Sequence, residues 1–88
     1  MKHRLTATYM LANRKHCTLY LGSALDLIQR IDEHKSGAGS HFAAKYGVNR
    51  LVWFQPFMLV SEARDREYAM KKWRREWTFN LIERENPD

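Results

Sequence analysis

The sequence predicts an α+β fold, a small three-stranded antiparallel sheet with flanking helices in the order β-β-α-β-α-α. Two short β-type runs surround a polar cluster near the start, and a segment with helical periodicity follows them. A third β-type run then precedes a long, charged helical segment. The chain has 88 residues, of which 44% are hydrophobic and 28% charged, as is typical of a folded domain. A chain of this length has room for one core, so we expect one domain over residues 1–88.

The first two strands are predicted at residues 5–12 and 17–22, where Thr, Tyr and aliphatic residues prevail. The polar residues 13–16 between them are typical of the turn of an antiparallel hairpin. Ser23 is expected to begin the first helix, with Asp26 three residues later in the position of a capping box. One apolar face of this helix should comprise Ala24, Leu27, Ile28 and Ile31.

The middle of the chain is predicted to contain a loop at 36–40, a short helical turn at 41–46 and a third strand at 50–57. Pro56 lacks a backbone donor. The third strand should therefore lie at an edge of the sheet, contain a bulge or end at this residue.

The last third of the chain is predicted to be helical. Ser61 can cap a second long helix. Residues 81–82 indicate that helical structure continues, straight or kinked, until the pair at 86–87 stops it. The apolar stripe of this helix should comprise Ala63, Met70, Trp73 and Trp77.

Positive charge is the first indication of function. Fifteen Lys and Arg against ten Asp and Glu give a net charge of +5. A positive surface attracts polyanions by counterion release, so nucleic acid is the leading class of partner. The alternative is that these charges only keep a small protein in solution. No P-loop, dinucleotide fingerprint or G-x-S-x-G motif is present.

Three features bear on location. The longest nearly apolar run, 51–60, contains Gln55 and Pro56 and is too short to span a bilayer, so no membrane partner is expected. The start has only a short apolar patch between basic residues, unlike a cleaved secretory signal. The single cysteine, Cys17, cannot form an internal disulfide. We therefore expect a cytoplasmic protein.

Two positions on the predicted first helix could carry chemistry. Arg30 and His34 are four residues apart, so their side chains are neighbours on the helix surface. An arginine can clamp a phosphate with two donors, and a histidine can transfer a proton near neutral pH. An exposed basic pair with no further role is equally compatible with this spacing.

Other candidates also have a structural and a functional interpretation. Glu67 can pair with Lys71 at i+4, or it can provide a hard oxygen ligand for Mg²⁺. Tyr9 and Tyr20 fit strand packing, and Gly22 fits a turn or a close backbone approach. The basic residues around Trp73 fit either a solvated helix face or a surface for a phosphate backbone. They are Lys71, Lys72, Arg74 and Arg75.

Taken together, these candidate residues indicate a protein family more specifically than any one of them does. A tyrosine on each hairpin strand, then a glycine, an Arg-x-x-x-His helix and a later glutamate resemble the GIY-YIG nuclease superfamily. The chain is most similar to the small, stand-alone bacterial members related to the N-terminal nuclease domain of the nucleotide-excision-repair endonuclease. The resemblance extends over essentially the whole chain. Ala7-Thr8-Tyr9 replaces Gly-Ile-Tyr and Tyr20-Leu21-Gly22 replaces Tyr-Ile-Gly, so both tyrosines and the glycine are kept.

The resemblance implies a metal-dependent endonuclease that hydrolyses phosphodiester bonds in DNA, with a role in DNA repair or recombination. It implies that Glu67 holds Mg²⁺ or Mn²⁺ and that Arg30 neutralises charge on the phosphate. Tyr9 would position or deprotonate the attacking water with help from His34, and Tyr20 would orient the water or the phosphate. Gly22 and Asn86 would set the geometry of the site, although Asn80 also fits the superfamily's late asparagine.

DNA is the expected partner, with branched and damaged DNA among the candidate forms, and it should be bound weakly and through its backbone. The candidate phosphate-contacting residues are Lys45, Lys71, Lys72, Arg74 and Arg75. Two other classes of function stay open. One is a nucleic-acid-binding module that does not cut. The other is an assembly protein that forms a homodimer through Trp53, Phe54 and Phe57.

Overall fold

In the part of the chain that the structure describes, a three-stranded antiparallel sheet lies between one helix on its first face and two helices on its second. The computed structural model describes residues 4–13, 19–35 and 50–85, so the loop and the helical turn predicted between 36 and 46 lie outside the described residues. The elements are β1 (Ala7–Ala12), β2 (Leu19–Ala24), α1 (Leu27–Lys35), β3 (Arg50–Pro56), α2 (Val60–Met70) and α3 (Arg75–Glu85). The predicted fold class is confirmed.

Strand β1 is the centre of the sheet, which has the order β2-β1-β3. Both neighbours pair with it in antiparallel register. Met10 pairs with Trp53 and Leu11 with Leu51, so β3 has one extra residue at this point, a bulge. Pro56 is the last residue of β3, and β3 is an edge strand. Both positions agree with the absence of a backbone donor at proline.

The alternating side chains of β1 build a core on each face of the sheet. Tyr9 belongs to the core beneath α1, and Met10 belongs to the core beneath α2 and α3. The first core comprises Ala7, Tyr9, Leu11, Ala24 and Leu27. The second comprises Met10, Ala12, Val52, Trp53, Met70 and Leu81. Because Trp53 is only 7% exposed, it is not available for the dimer interface suggested from the sequence.

The predicted starts of two helices are wrong. Ser23 does not begin α1, since β2 continues through Ala24 and the helix begins at Leu27. Ile28 is 61% exposed and so does not share the buried face of α1. Ser61 lies inside α2, because that helix begins at Val60.

The segment after the third strand forms two helices, as in the predicted order, but the predicted apolar stripe does not run along one helix. Helix α2 ends at Met70, and the Trp73 amide donates to the Met70 carbonyl at 3.0 Å in the turn that follows. Trp77, on α3, is half-exposed and so leaves the predicted buried stripe. None of the helices among the described residues is long and apolar enough to cross a membrane.

Candidate active site

The candidate site is built around Tyr9, which lies opposite Gly22 in the register of β1 and β2. A Cβ atom added at Gly22 would lie 2.9 Å from the Tyr9 hydroxyl oxygen and 3.0 Å from the ring of Tyr20. Real Cβ atoms essentially never approach other atoms so closely. The glycine therefore leaves the space in which the Tyr9 hydroxyl lies over β2.

The two tyrosines form a pair on the same face of the sheet. Their ring centroids are 6.2 Å apart and the rings are tilted by 40°. Tyr9 is 1% exposed, whereas Tyr20 is partly exposed at the edge strand. Burial raises the pKa of Tyr9 well above its usual value, and the charge and hydrogen bond of Tyr20 raise it further. Tyr9 is therefore a neutral hydroxyl at physiological pH.

Arg30 approaches Tyr9 from α1. The start of this helix is fixed to the chain just before β1, because the Leu27 amide donates to the Leu5 carbonyl at 2.8 Å and Thr6 Oγ1 donates to the Leu25 carbonyl at 2.8 Å. The Arg30 guanidinium, one turn further along, acts against burial by lowering the pKa of Tyr9. Its side chain remains 47% exposed and can contact a ligand.

Arg30 also has a neighbour of opposite charge. Its Nε atom lies 3.7 Å from Glu33 Oε1, one turn along the helix. At this exposure such a pair is weak, so a phosphate can compete for the guanidinium.

Glu67 approaches the same place from α2, on the other face of the sheet. Ser23 Oγ donates to Glu67 Oε1 at 2.6 Å, and Lys71 Nζ lies 2.6 Å from Glu67 Oε2. The predicted i+4 ion pair is thus present. The Glu67 carboxylate also raises the pKa of Tyr9, the smallest of the contributions to that shift. Arg30 and Glu67 therefore act on Tyr9 from opposite sides of the edge strand β2.

The surroundings of Glu67 fit a magnesium or manganese ion. Its side chain is 19% exposed, so one hard carboxylate is partly open to solvent. Among the described residues, no group of three or more His, Cys, Asp or Glu side chains lies together as a closed metal cage. Mg²⁺ needs no such cage, because it binds through one or two carboxylates and completes its shell with water and substrate phosphate.

The structure thus brings together Tyr9, Tyr20, Gly22, Arg30 and Glu67, which come from four elements. The backbone of His34 lies in α1 one turn after Arg30, but its side chain lies outside the described residues, as do Lys45 and Asn86. Ser23 was missed as a site residue, because Ser before a helical pattern is typical of a cap. Its position beside Gly22 on the edge strand was the signal that could have identified it.

Cationic side chains lie over aromatic rings on α2, α3 and the turn between them. Lys72 Nζ is 4.5 Å from the centre of the Tyr68 ring, and the Arg75 guanidinium is 5.1 Å from that of Phe79. Four of the predicted phosphate-contacting residues are among those described. One of them, Lys71, pairs with the Glu67 carboxylate. The others keep exposed charges on an aromatic support. Two further pairs are Arg66 over Trp73 at 5.2 Å and Arg74 over Trp77 at 5.7 Å.

Comparisons with known proteins show what this chain is similar to. The profile of a family described as the GIY-YIG catalytic domain matches residues 6–80. The UPF0213 protein of Clostridium perfringens is 37% identical over 65 residues, which cover 74% of this chain and 70% of that protein. That of Staphylococcus saprophyticus is 35% identical over 68 residues, 77% of this chain and 83% of that protein. The solution structure of a UPF0213 protein from Bacillus halodurans matches with a TM-score of 0.54 and 30% identity, over 88% of this chain and 81% of that one.

Proposed function

The chain belongs to the GIY-YIG catalytic domain family, and we propose that it is a metal-dependent endonuclease that hydrolyses phosphodiester bonds in DNA. The family suggests a nuclease with a nucleic-acid substrate, while the relatives carry only the name UPF0213. One observation supports the proposal most. Ser23 Oγ holds the Glu67 carboxylate by a 2.6 Å hydrogen bond, and the neighbouring Gly22 leaves the space for the Tyr9 hydroxyl. Residues 1–88 would form one such domain, acting in the cytoplasm in DNA repair or recombination.

In this proposal Glu67 is the protein ligand of the metal. Ser23 fixes the orientation of the carboxylate through the 2.6 Å hydrogen bond, and Lys71 must release the second carboxylate oxygen when the ion binds. A bound Mg²⁺ or Mn²⁺ ion supplies Lewis acidity, which polarises the scissile phosphate and stabilises the leaving oxygen.

Arg30 would stabilise the charge that grows on the phosphoryl oxygens during hydrolysis. Its guanidinium is half-exposed and offers N–H donors that match a phosphate. The change of partner from Glu33 to phosphate would convert a weak local ion pair into a contact that is strongest in the transition state.

The two tyrosines would have different roles toward the attacking water. Since burial raises the pKa of Tyr9, its hydroxyl stays neutral. Tyr9 would therefore position the neighbouring groups and would not take a proton from the attacking water. Tyr20 lies at the edge strand and is partly exposed, so it can contact the water directly. We assign acceptance of the proton to this solvent-facing part of the site, with His34 assisting.

The test is incubation of the purified protein with branched, nicked and linear DNA in Mg²⁺, Mn²⁺ or EDTA. We expect cleavage only with metal, and we expect Glu67→Gln to abolish it while keeping the hydrogen bond to Ser23. Glu83→Gln removes the same charge from an exposed position on α3 and should cut at the parent's rate. Cleavage by Glu67→Gln at the parent's rate would refute the assignment.

A binding module that does not cut is the second candidate, favoured by the cationic side chains supported on aromatic rings around α2 and α3. Binding of these DNA substrates that persists in EDTA, with no cleavage in either metal, would favour that function over the endonuclease.

A further inference from the structure

A second concave feature lies on α3 and the turn before it. It is an open cleft of about 290 Å³, which we call the tryptophan cleft. Trp77 is half-exposed, and Trp73 packs partly into the second core. The residues that line the cleft are Trp73, Trp77, Asn80, Leu81 and Arg84. Asn80, one of the two candidates for the superfamily's late asparagine, therefore lies in this cleft.

The tryptophan cleft and the candidate active site lie on opposite flanks of α2. Glu67 bonds to Ser23 on the edge strand β2. Arg66, the preceding residue, donates from Nε to Gln55 Oε1 on the other edge strand, β3, at 3.3 Å. Arg66 is also the residue that lies over Trp73. Glu67 and Arg66 therefore connect α2 to opposite edges of the sheet, with the tryptophan cleft on the side of Arg66.

Three guanidinium groups surround the aromatic lining. Arg66 lies 5.2 Å from the centre of the Trp73 ring and Arg74 lies 5.7 Å from that of Trp77. Arg74 also lies 3.9 Å from Glu76, but both side chains are about two-thirds exposed or more, and so this pair is weak. The Arg84 side chain has no hydrogen bond or ion pair with residues 4–13, 19–35 and 50–85.

This combination fits one class of ligand. An indole ring that is half-exposed stacks well on a planar base, and stacking tolerates any base. Guanidinium groups that lie over these rings are suited to the phosphates on either side of that base, because they offer paired donors. A base within a duplex is stacked on both faces and cannot enter such a cleft.

We propose that the tryptophan cleft binds an unpaired base of the DNA strand whose cleavage is proposed at Glu67. This inference rests on the proposed function, and it specifies the substrate as DNA with a single-stranded segment beside the scissile bond. The exposed end of α2 and the turn after it supply the route between the two sites. Tyr68 is on α2, Lys71 and Lys72 are in the turn, and Lys72 lies over the Tyr68 ring.

The test is binding of fluorescein-labelled oligothymidylate of about twelve nucleotides, a length within the usual range of single-strand sites, measured in EDTA so that cleavage plays no part. Trp77→Ala should weaken binding about tenfold, the loss expected when one base no longer stacks. Trp77→Phe keeps a ring and should stay within about twofold of the parent.

Two probes separate stacking from charge. An abasic strand of equal length has the same phosphates and no bases, so Trp77→Ala should not change its affinity. The matched duplex should be equally insensitive. Met58→Ala, at an exposed apolar side chain before α2, controls for loss of surface hydrophobicity. Equal losses on all three probes, or no loss on oligothymidylate, would overturn the proposal.

Because these measurements need no metal, they are independent of the cleavage assay. Loss of cleavage in Glu67→Gln together with unchanged binding by Trp77→Ala would reject the tryptophan cleft and keep the endonuclease. Weakened binding by Trp77→Ala together with unchanged cleavage by Glu67→Gln would keep the cleft as a binding site and reject Glu67 as the metal ligand.

Discussion

Most of the proposed cleavage chemistry depends on the carboxylate of Glu67, and its two oxygens have different partners. Ser23 donates a hydrogen bond to one oxygen and leaves its negative charge intact. Lys71 neutralises the other. The hydroxyl should therefore help a metal ion to bind by holding the carboxylate still, while the ammonium should compete with the ion.

Ser23→Ala should lower the affinity for Mn²⁺ about tenfold, the usual effect of removing a group that orients a metal ligand. The measurement is electron paramagnetic resonance of free Mn²⁺ during titration, without DNA. Ser61→Ala removes an exposed hydroxyl from the first turn of α2 and should leave the affinity unchanged. An unchanged affinity in Ser23→Ala would mean that the hydrogen bond does not orient the ligand.

Lys71→Met should act in the opposite direction and raise the affinity for Mn²⁺ by about fivefold, because a partly exposed ion pair of roughly 1 kcal/mol no longer has to break. The same titration measures it. Lys72→Met is the control, because it removes the same charge at a residue that lies over Tyr68 and not beside Glu67. A smaller rise in Mn²⁺ affinity in this variant measures the effect of long-range charge alone. A fall in affinity would show that Lys71 assists the metal.

Tyr9 should make stability depend on alkaline pH. Its pKa is raised in the folded protein, while in the unfolded chain it titrates near 10. The contribution of neutral Tyr9 is therefore complete below about pH 10 and is lost as the pH rises further, at up to about 1.4 kcal/mol per pH unit. Urea unfolding between pH 8 and 11 should show a steeper loss in the parent than in Tyr9→Phe. Parallel curves would contradict the burial of an ionisable hydroxyl.

Among the elements, α2 has the most direct influence on the site, because it carries Glu67 across the sheet. Thr8, in the central strand, donates from Oγ1 to the Ala63 carbonyl at 2.6 Å, and both residues are fully buried. Ala63 precedes Glu67 by one helical turn. This hydrogen bond therefore fixes the height of the helix over β1 and, through it, the position of the carboxylate.

Thr8→Val keeps the shape of the side chain and removes the hydroxyl. We expect a loss of about 1 kcal/mol in the free energy of unfolding, measured with urea, together with a clear fall in the cleavage rate. Thr78→Val, on the partly buried side of α3, makes the same exchange away from Glu67 and should not slow cleavage. If both variants cut equally well, α2 is not positioned through Thr8.

Some helices and strands could be predicted from local sequence patterns, and others could not. The hairpin, the edge strand that ends at Pro56 and the order of helices could be predicted, because periodicity and turn residues are local. The position of the break, after Met70, could not be predicted, since the apolar spacing continues through it and the turn depends on the packing of Trp73 against the sheet. Ser23 was misassigned for a related reason. The preference of serine for a helix cap is a local property, whereas its hydrogen bond is to Glu67, 44 residues later in the chain.

At the scale of the whole molecule, the candidate site joins both layers of helices across one edge strand. Periodicity alone could not show that Arg30 and Glu67 meet at Tyr9, because that meeting depends on tertiary packing. The resemblance to a nuclease family supplied this expectation. The positive charge, in contrast, was evident from composition, and the structure shows which part of it is presented on aromatic rings.

This distribution of charge predicts a salt-dependent interaction with DNA. If Lys72, Arg74 and Arg84 contact three phosphates of a single strand, the logarithm of the association constant should fall against that of the salt concentration with a slope of about −2. Lys72→Gln removes one contact and should reduce the slope by about 0.7. Arg50→Gln removes the same charge from the exposed start of β3, away from α2, so its slope should match the parent's. An affinity that does not change with salt would show that net charge merely keeps this protein soluble, and equal slopes for all three proteins would place the DNA on another surface.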